Sequence, residues 1–122
     1  MFGAARALQV FIRVCGVGAL LLGLARWAGY LMSLLPLHQA FGMGLVLALA
    51  VVAVMALSRK ERPRLATLVL LLAAAVPWLG ITQTRLMPGP QHWIIALTHL
   101  ALGGIAMGIG TRLAGMLGQP KG

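Results

Sequence analysis

A chain of 122 residues that is 61% hydrophobic and only 9% charged lacks the polar side chains to cover a water-facing surface; soluble domains carry roughly 25% charged residues. A soluble globular domain is excluded, and most of the surface must face lipid. The net charge of +9, ten Lys and Arg against the single acid Glu61, does not mark a nucleic-acid binder, because the basic residues cap apolar runs instead of lining a solvated face along which phosphates are tracked.

The first fifteen residues, MFGAARALQVFIRVC, read as an amphipathic interfacial start with Arg6 and Arg13 near lipid headgroups. They carry no small-x-small cleavage site followed by a polar mature chain, so a retained first helix is expected rather than a signal peptide. Cys15 is the one cysteine and reads as a small packing residue.

Four apolar runs follow, over residues 14–35, 37–57, 65–86 and 91–113. Each is close to the ~20 residues a helix needs to cross ~30 Å of hydrocarbon. Pro36 parts the first two, SRKERPR (58–64) the middle two and MPGP (87–90) the last two. These short breaks predict two helical hairpins, and with no alternating β pattern the expected fold is all-α: an up-and-down four-helix membrane bundle forming one transmembrane domain over 1–122. Such a chain has no room for a soluble catalytic domain.

With both termini on one side, that side holds Arg6, Arg13, Arg59, Lys60, Arg62, Arg64, Arg112 and Lys121, and the other holds Arg26 and Arg85. The positive-inside rule then places both termini in the cytoplasm, in a bacterial inner membrane, with the Pro36 and MPGP turns facing outward.

Polar residues inside the runs gather toward the outward turns. Pro36-Leu37-His38 and Pro90-Gln91-His92 open the second and fourth runs alike, each with proline suited to a first helical turn. A second match, HQAFGMG from His38 and HLALGGI from His99, repeats His-x-x-x-Gly. Helical steps of three and four put His92, Ala96, His99, Gly103, Ala106 and Gly110 on one line, Gly16, Ala19, Gly23, Arg26 and Tyr30 on another, and His38, Gly42, Leu45 and Leu49 on a third. On the third run Trp78, Thr82 and Arg85 share a line, just beyond Pro77, where a kink is expected. The inner half reads as almost pure Leu, Ala, Val, Gly and Met.

An Arg within a span costs ~2.5 to 3.5 kcal/mol on insertion scales, so Arg26 and the deeper His99 stand out, although a long Arg stem can also snorkel to the headgroups. As a lone inter-helix hydrogen bond His99 would be worth only ~0.6 kcal/mol. Two neutral imidazoles from different helices suit axial ligation of a haem iron, with small residues beside them to let helices close on a flat macrocycle. Gly42 and Gly103, each one turn after a histidine, meet that need, and Arg26 or Arg85 can neutralise carboxylates near the outer surface.

On the twice-seen His-x-x-x-Gly and the four-span architecture, the chain resembles the small four-helix membrane cytochromes b. The resemblance implies haem b and electron transfer, with His38 and His99 as ligands; His92 is the alternative partner. Counting turns sets His99 ~9 Å deeper than His38, so pairing them requires helix tilt or a vertical shift. The same residues also suit a quinone or a chlorophyll-type pigment, and the small-residue faces suit an accessory subunit packed on larger membrane subunits, with no activity of its own. A proton-coupled transporter would need a carboxylate within the membrane, whereas Glu61 lies in a loop; hydrolytic or metal catalysis has no carboxylate base or cysteine pair to work with.

Overall fold

The computed structural model describes residues 2–30 and 32–120. Lys121, counted above with the basic residues of the terminal side, lies outside them. The chain forms α1 (Phe2–Trp27), a single 3₁₀ turn (Met32–Leu34), α2 (Leu35–Ser58), α3 (Pro63–Thr82) and α4 (His92–Leu117), with no strand among the described residues.

Local chemistry sets the ends. α1 stops where Gly29 takes φ +87°. Its N–H donates to the Arg26 carbonyl at 3.0 Å and the Tyr30 N–H to the Ala25 carbonyl at 2.8 Å, the paired bonds of a Schellman motif. The α2–α3 turn makes the same pair without glycine: Lys60, at φ 55°, donates to Leu57, and Glu61 donates to Ala56. Pro63 then starts α3 at a position whose N–H has no helical acceptor.

These ends correct the expected first span. The first helix runs over Phe2–Trp27, ending at Trp27 rather than 35, and its first half packs one face against the bundle. Ala5, Ile12, Cys15 and Ala19 are all buried, while Arg6 and Arg13 are exposed. A hydropathy run avoids charge, but an arginine on the outward face does not end a helix, and a left-handed glycine does. α3 also ends earlier than 86, and α4 continues past 113.

α1 packs on α2 and α4; α3 packs on α2 and, less extensively, on α4; α2 and α4 meet across the middle. Ile12, Leu49, Val52, Val69 and Leu113 are fully buried. All five lie in the half of the bundle that holds the termini. Gly110 admits the close approach of α4 to α2 there, since a Cβ would run into Leu49. All four helices are long and apolar enough to cross a membrane. Their outer faces are as greasy as the core, with Leu47 61% and Ile81 78% exposed.

The terminal half is not wholly apolar, as had been expected. Gln9, brought into the bundle by the early start of α1, donates from Nε2 to the Thr111 carbonyl at 3.2 Å. Gly115 leaves room for that amide, because a Cβ there would stand 2.8 Å from Nε2.

Truncating the buried Leu49 to Ala should cost about 2 to 5 kcal/mol, whereas Leu47→Ala, on the outward face, should stay within about 0.5 kcal/mol. Unfolding in mixed detergent micelles followed by circular dichroism measures both.

Candidate functional site

At the other end of the bundle the polar side chains converge. His38 lies one turn into α2, on the inward line that continues through Gly42 to the buried Leu45 and Leu49. His99 lies two turns into α4, on the line that continues through Gly103 to the buried Ala106 and Gly110. The two imidazoles meet edge to face, with centroids 6.4 Å apart and planes at 67°. The depth difference obtained by counting turns assumes that α2 and α4 start level and run parallel; ring contact at this distance means that they do not.

Each ring is seated on a glycine of a neighbouring helix. The His38 Nδ1 lies 2.8 Å from the Ala19 carbonyl of α1. A carbonyl only accepts, so Nδ1 is the donor, and in the neutral imidazole this tautomer leaves the lone pair on Nε2. Gly23, one turn further along α1, makes this approach possible: a Cβ would lie 3.2 Å from His38 Cε1. His99 rests in the same way on Gly80 of α3, where a Cβ would come within 2.9 Å of Cε1. The His99 Nδ1 is buried, with the Val76 backbone of α3 as its hydrogen-bonding neighbour, at a geometry short of a well-formed bond.

Gly42 and Gly103, singled out in the sequence, do something else. Both are half-buried and on inward lines, yet a Cβ at either would meet nothing within 4 Å. They stand one turn from the histidine pair, and no neighbouring side chain occupies their Cβ positions. The ring-contacting glycines were legible only in part: Gly23 stood on the small-residue line of the first helix, while Gly80 was one glycine in an apolar run with no pattern around it.

Arg26 occupies the last turn of α1, one turn past Gly23, half-buried, with Nε hidden from solvent and lacking a partner. Arg85 is exposed in the α3–α4 connection. His92 is the first residue of α4, two turns from His99. Trp78, 60% exposed, and Tyr30, 69% exposed, face away from the bundle. The Thr82 and Thr98 hydroxyls donate to the Trp78 and Ile94 carbonyls of their own helices, at 2.8 and 2.7 Å. The expected polar outer end thus resolves into His38, His99 and Arg26 facing inward, with the threonines satisfied locally.

The chain matches no known protein family, curated protein or solved structure. Function therefore has to come from the site itself. No group of three or more His, Cys, Asp or Glu that could hold a metal ion occurs among the described residues, so the pair offers two nitrogen ligands and no protein set for a tetrahedral or octahedral ion.

The two kinds of glycine should respond with opposite sign. Gly103→Ala and Gly42→Ala enter open space, and each should be neutral or stabilising by up to about 1 kcal/mol, whereas Gly80→Ala should destabilise by displacing the His99 ring. Thermal melting of the three variants in one detergent tests the contrast.

Proposed function

We propose that this chain is a small integral membrane subunit of a respiratory or photosynthetic electron-transfer complex, holding one haem b between His38 and His99 near the outer face. The observation that carries the reading is the imidazole pair. A site with two protein ligands suits a metal that brings its remaining ligands with it, and the iron of a macrocycle does so. His38 and His99 would hold such a group, since the bundle brings their rings to 6.4 Å from two different helices.

The residues around the pair support the same chemistry. His38, tied through Nδ1 to the Ala19 carbonyl, offers Nε2, and a hydrogen bond on the non-ligating nitrogen is what orients a metal-binding imidazole. Gly42 and Gly103, without side chains and with nothing within 4 Å of their Cβ positions, would not obstruct a flat ring. Arg26 brings a half-buried positive charge to the mouth of the site. The chain's one acid, Glu61, sits in the α2–α3 turn at the opposite end and does not balance Arg26, which would pair with a carboxylate of a bound group. Leu, Val and Ala side chains exclude water from the remainder. Haem b, when bound, supplies a one-electron couple; the protein sets its orientation, charge and dryness.

As a membrane subunit the chain would form an up-and-down bundle with both termini in the cytoplasm of a bacterial inner membrane, following the basic residues of the α2–α3 turn and the chain ends. A role as an accessory subunit is compatible with this. It is favoured by Gly104 and Gly108 of α4, which stand one turn apart with nothing near their Cβ positions, on the span with the smallest buried share. Such positions let another helix pack closely.

Protein purified from haem-replete cells should give a reduced-minus-oxidised spectrum typical of bis-imidazole haem. His38→Ala and His99→Ala should each abolish or strongly shift it, His92→Ala should leave most of it, and Gly103→Leu should remove it while the fold persists. A colourless wild type, or loss on His92→Ala with retention on His99→Ala, would overturn the assignment. In a Cys15→Ser background, Gln91→Cys should react with a membrane-impermeant maleimide applied to spheroplasts; protection from it would reverse the orientation.

A further inference from the structure

We infer that the outward face of α1 binds an anionic phospholipid of the leaflet on the side of the termini, with Arg6 and Arg13 on its phosphate and the apolar surface beside them against its acyl chains. The observation that calls for a partner is the depth of Arg13. Ala5 is level with the end of α4, since a Cβ at Gly118 would lie 3.4 Å from the Ala5 Cβ. Ile12 is level with the packed core, because a Cβ at Gly110 would meet both Leu49 and Ile12. Arg13, just over two turns past Ala5, therefore stands about 12 Å inside the end of the bundle. It is exposed on the outside, between the exposed Val10 and Val17.

An arginine in hydrocarbon is costly, and one that faces away from its own bundle needs its anion from outside. The chain has none to offer, for its one acid, Glu61, lies in the turn between α2 and α3. A second copy would bring the same excess of positive charge. Arg6 lies on the same face, about 10 Å nearer the start of the helix, and helical side chains lean toward the N-terminus. The two long side chains can thus converge on one phosphate. Beside them runs a shallow groove over Gly3, Arg6, Ala7, Val10, Phe11 and Val14. Its charged end is at the helix terminus and its apolar end is within the span, the order in which a phospholipid carries headgroup and chains. An acidic side chain on a foreign helix at the level of Arg13 would leave Arg6 unmet, whereas a phosphate drawn inward by Arg13 meets both. Both arginines lie in the half of the bundle away from the histidine pair, so lipid binding needs no haem.

The test adds phosphatidylglycerol or phosphatidylcholine to the full chain in detergent and measures retained lipid by native mass spectrometry. The wild type should retain phosphatidylglycerol saturably and in preference to phosphatidylcholine. Arg6→Gln and Arg13→Gln should each weaken retention about fivefold. Lys60→Gln combined with Arg64→Gln, which removes two charges from exposed positions off the α1 face, should leave it unchanged. Inorganic phosphate in excess should not displace the lipid, because the groove holds its chains. Equal retention of the two lipids, displacement by free phosphate, or a loss on changing Lys60 and Arg64 as large as that on changing Arg6 and Arg13 would overturn the proposal. The wild-type comparison of the two lipids decides the matter even if Arg13→Gln fails to fold.

Discussion

The contact between His38 Nδ1 and the Ala19 carbonyl is the interaction around which the outer end of the bundle is organised. An imidazole inside a greasy bundle must place its N–H on an acceptor or bear the cost of an unmet donor. It meets that need by approaching the backbone of α1 closely, which Gly23 permits. One hydrogen bond therefore fixes the spacing of α1 and α2 at this end, the tautomer of His38 and the nitrogen that it presents to the interior.

The two ends of the bundle are built on different principles. Around Leu49, Val52, Val69 and Leu113 the helices interlock with side chains fully buried, and Gly110 lets Leu49 lodge against α4. Dispersion and close packing must hold this end, because lipid tails remove the hydrophobic difference between inside and outside. Around the histidines the glycines are used twice over: Gly23 and Gly80 accept rings from adjacent helices, while Gly42 and Gly103 leave room. A well-packed half thus anchors a looser half, and the loose half carries the polar groups.

Spanning helices were legible because a run of apolar residues long enough to cross hydrocarbon has few alternatives. The inward lines of α1, α2 and α4 followed from steps of three and four, and the buried Ala19, Leu45, Leu49 and Ala106 lie on them. The start of α1 was misplaced because hydropathy counts an outward Arg6 or Arg13 against a helix that in fact buries Ala5 and Ile12 beside them. That error hid Gln9, and with it the Gln9–Thr111 contact. The line through Trp78, Thr82 and Arg85 breaks at Thr82, where α3 ends, and Trp78 faces outward; nothing in an apolar helix with greasy faces all round says which face turns inward. The nearness of His38 and His99 depends on relative helix position and inclination, which no single-helix pattern encodes.

His99 is where these constraints leave a remainder. Its ring is held by shape, against Gly80 and the ring of His38, and its buried Nδ1 has only the Val76 backbone beside it, without a well-formed hydrogen bond. A buried polar atom left in that state calls for an explanation. α3 brings its Val76 backbone to this ring, as α1 brings the Ala19 carbonyl to His38, though without reaching the geometry of that bond. An imidazole held mainly by packing depends on the helices around it, and α4, which packs on α1, α2 and α3, supplies that frame.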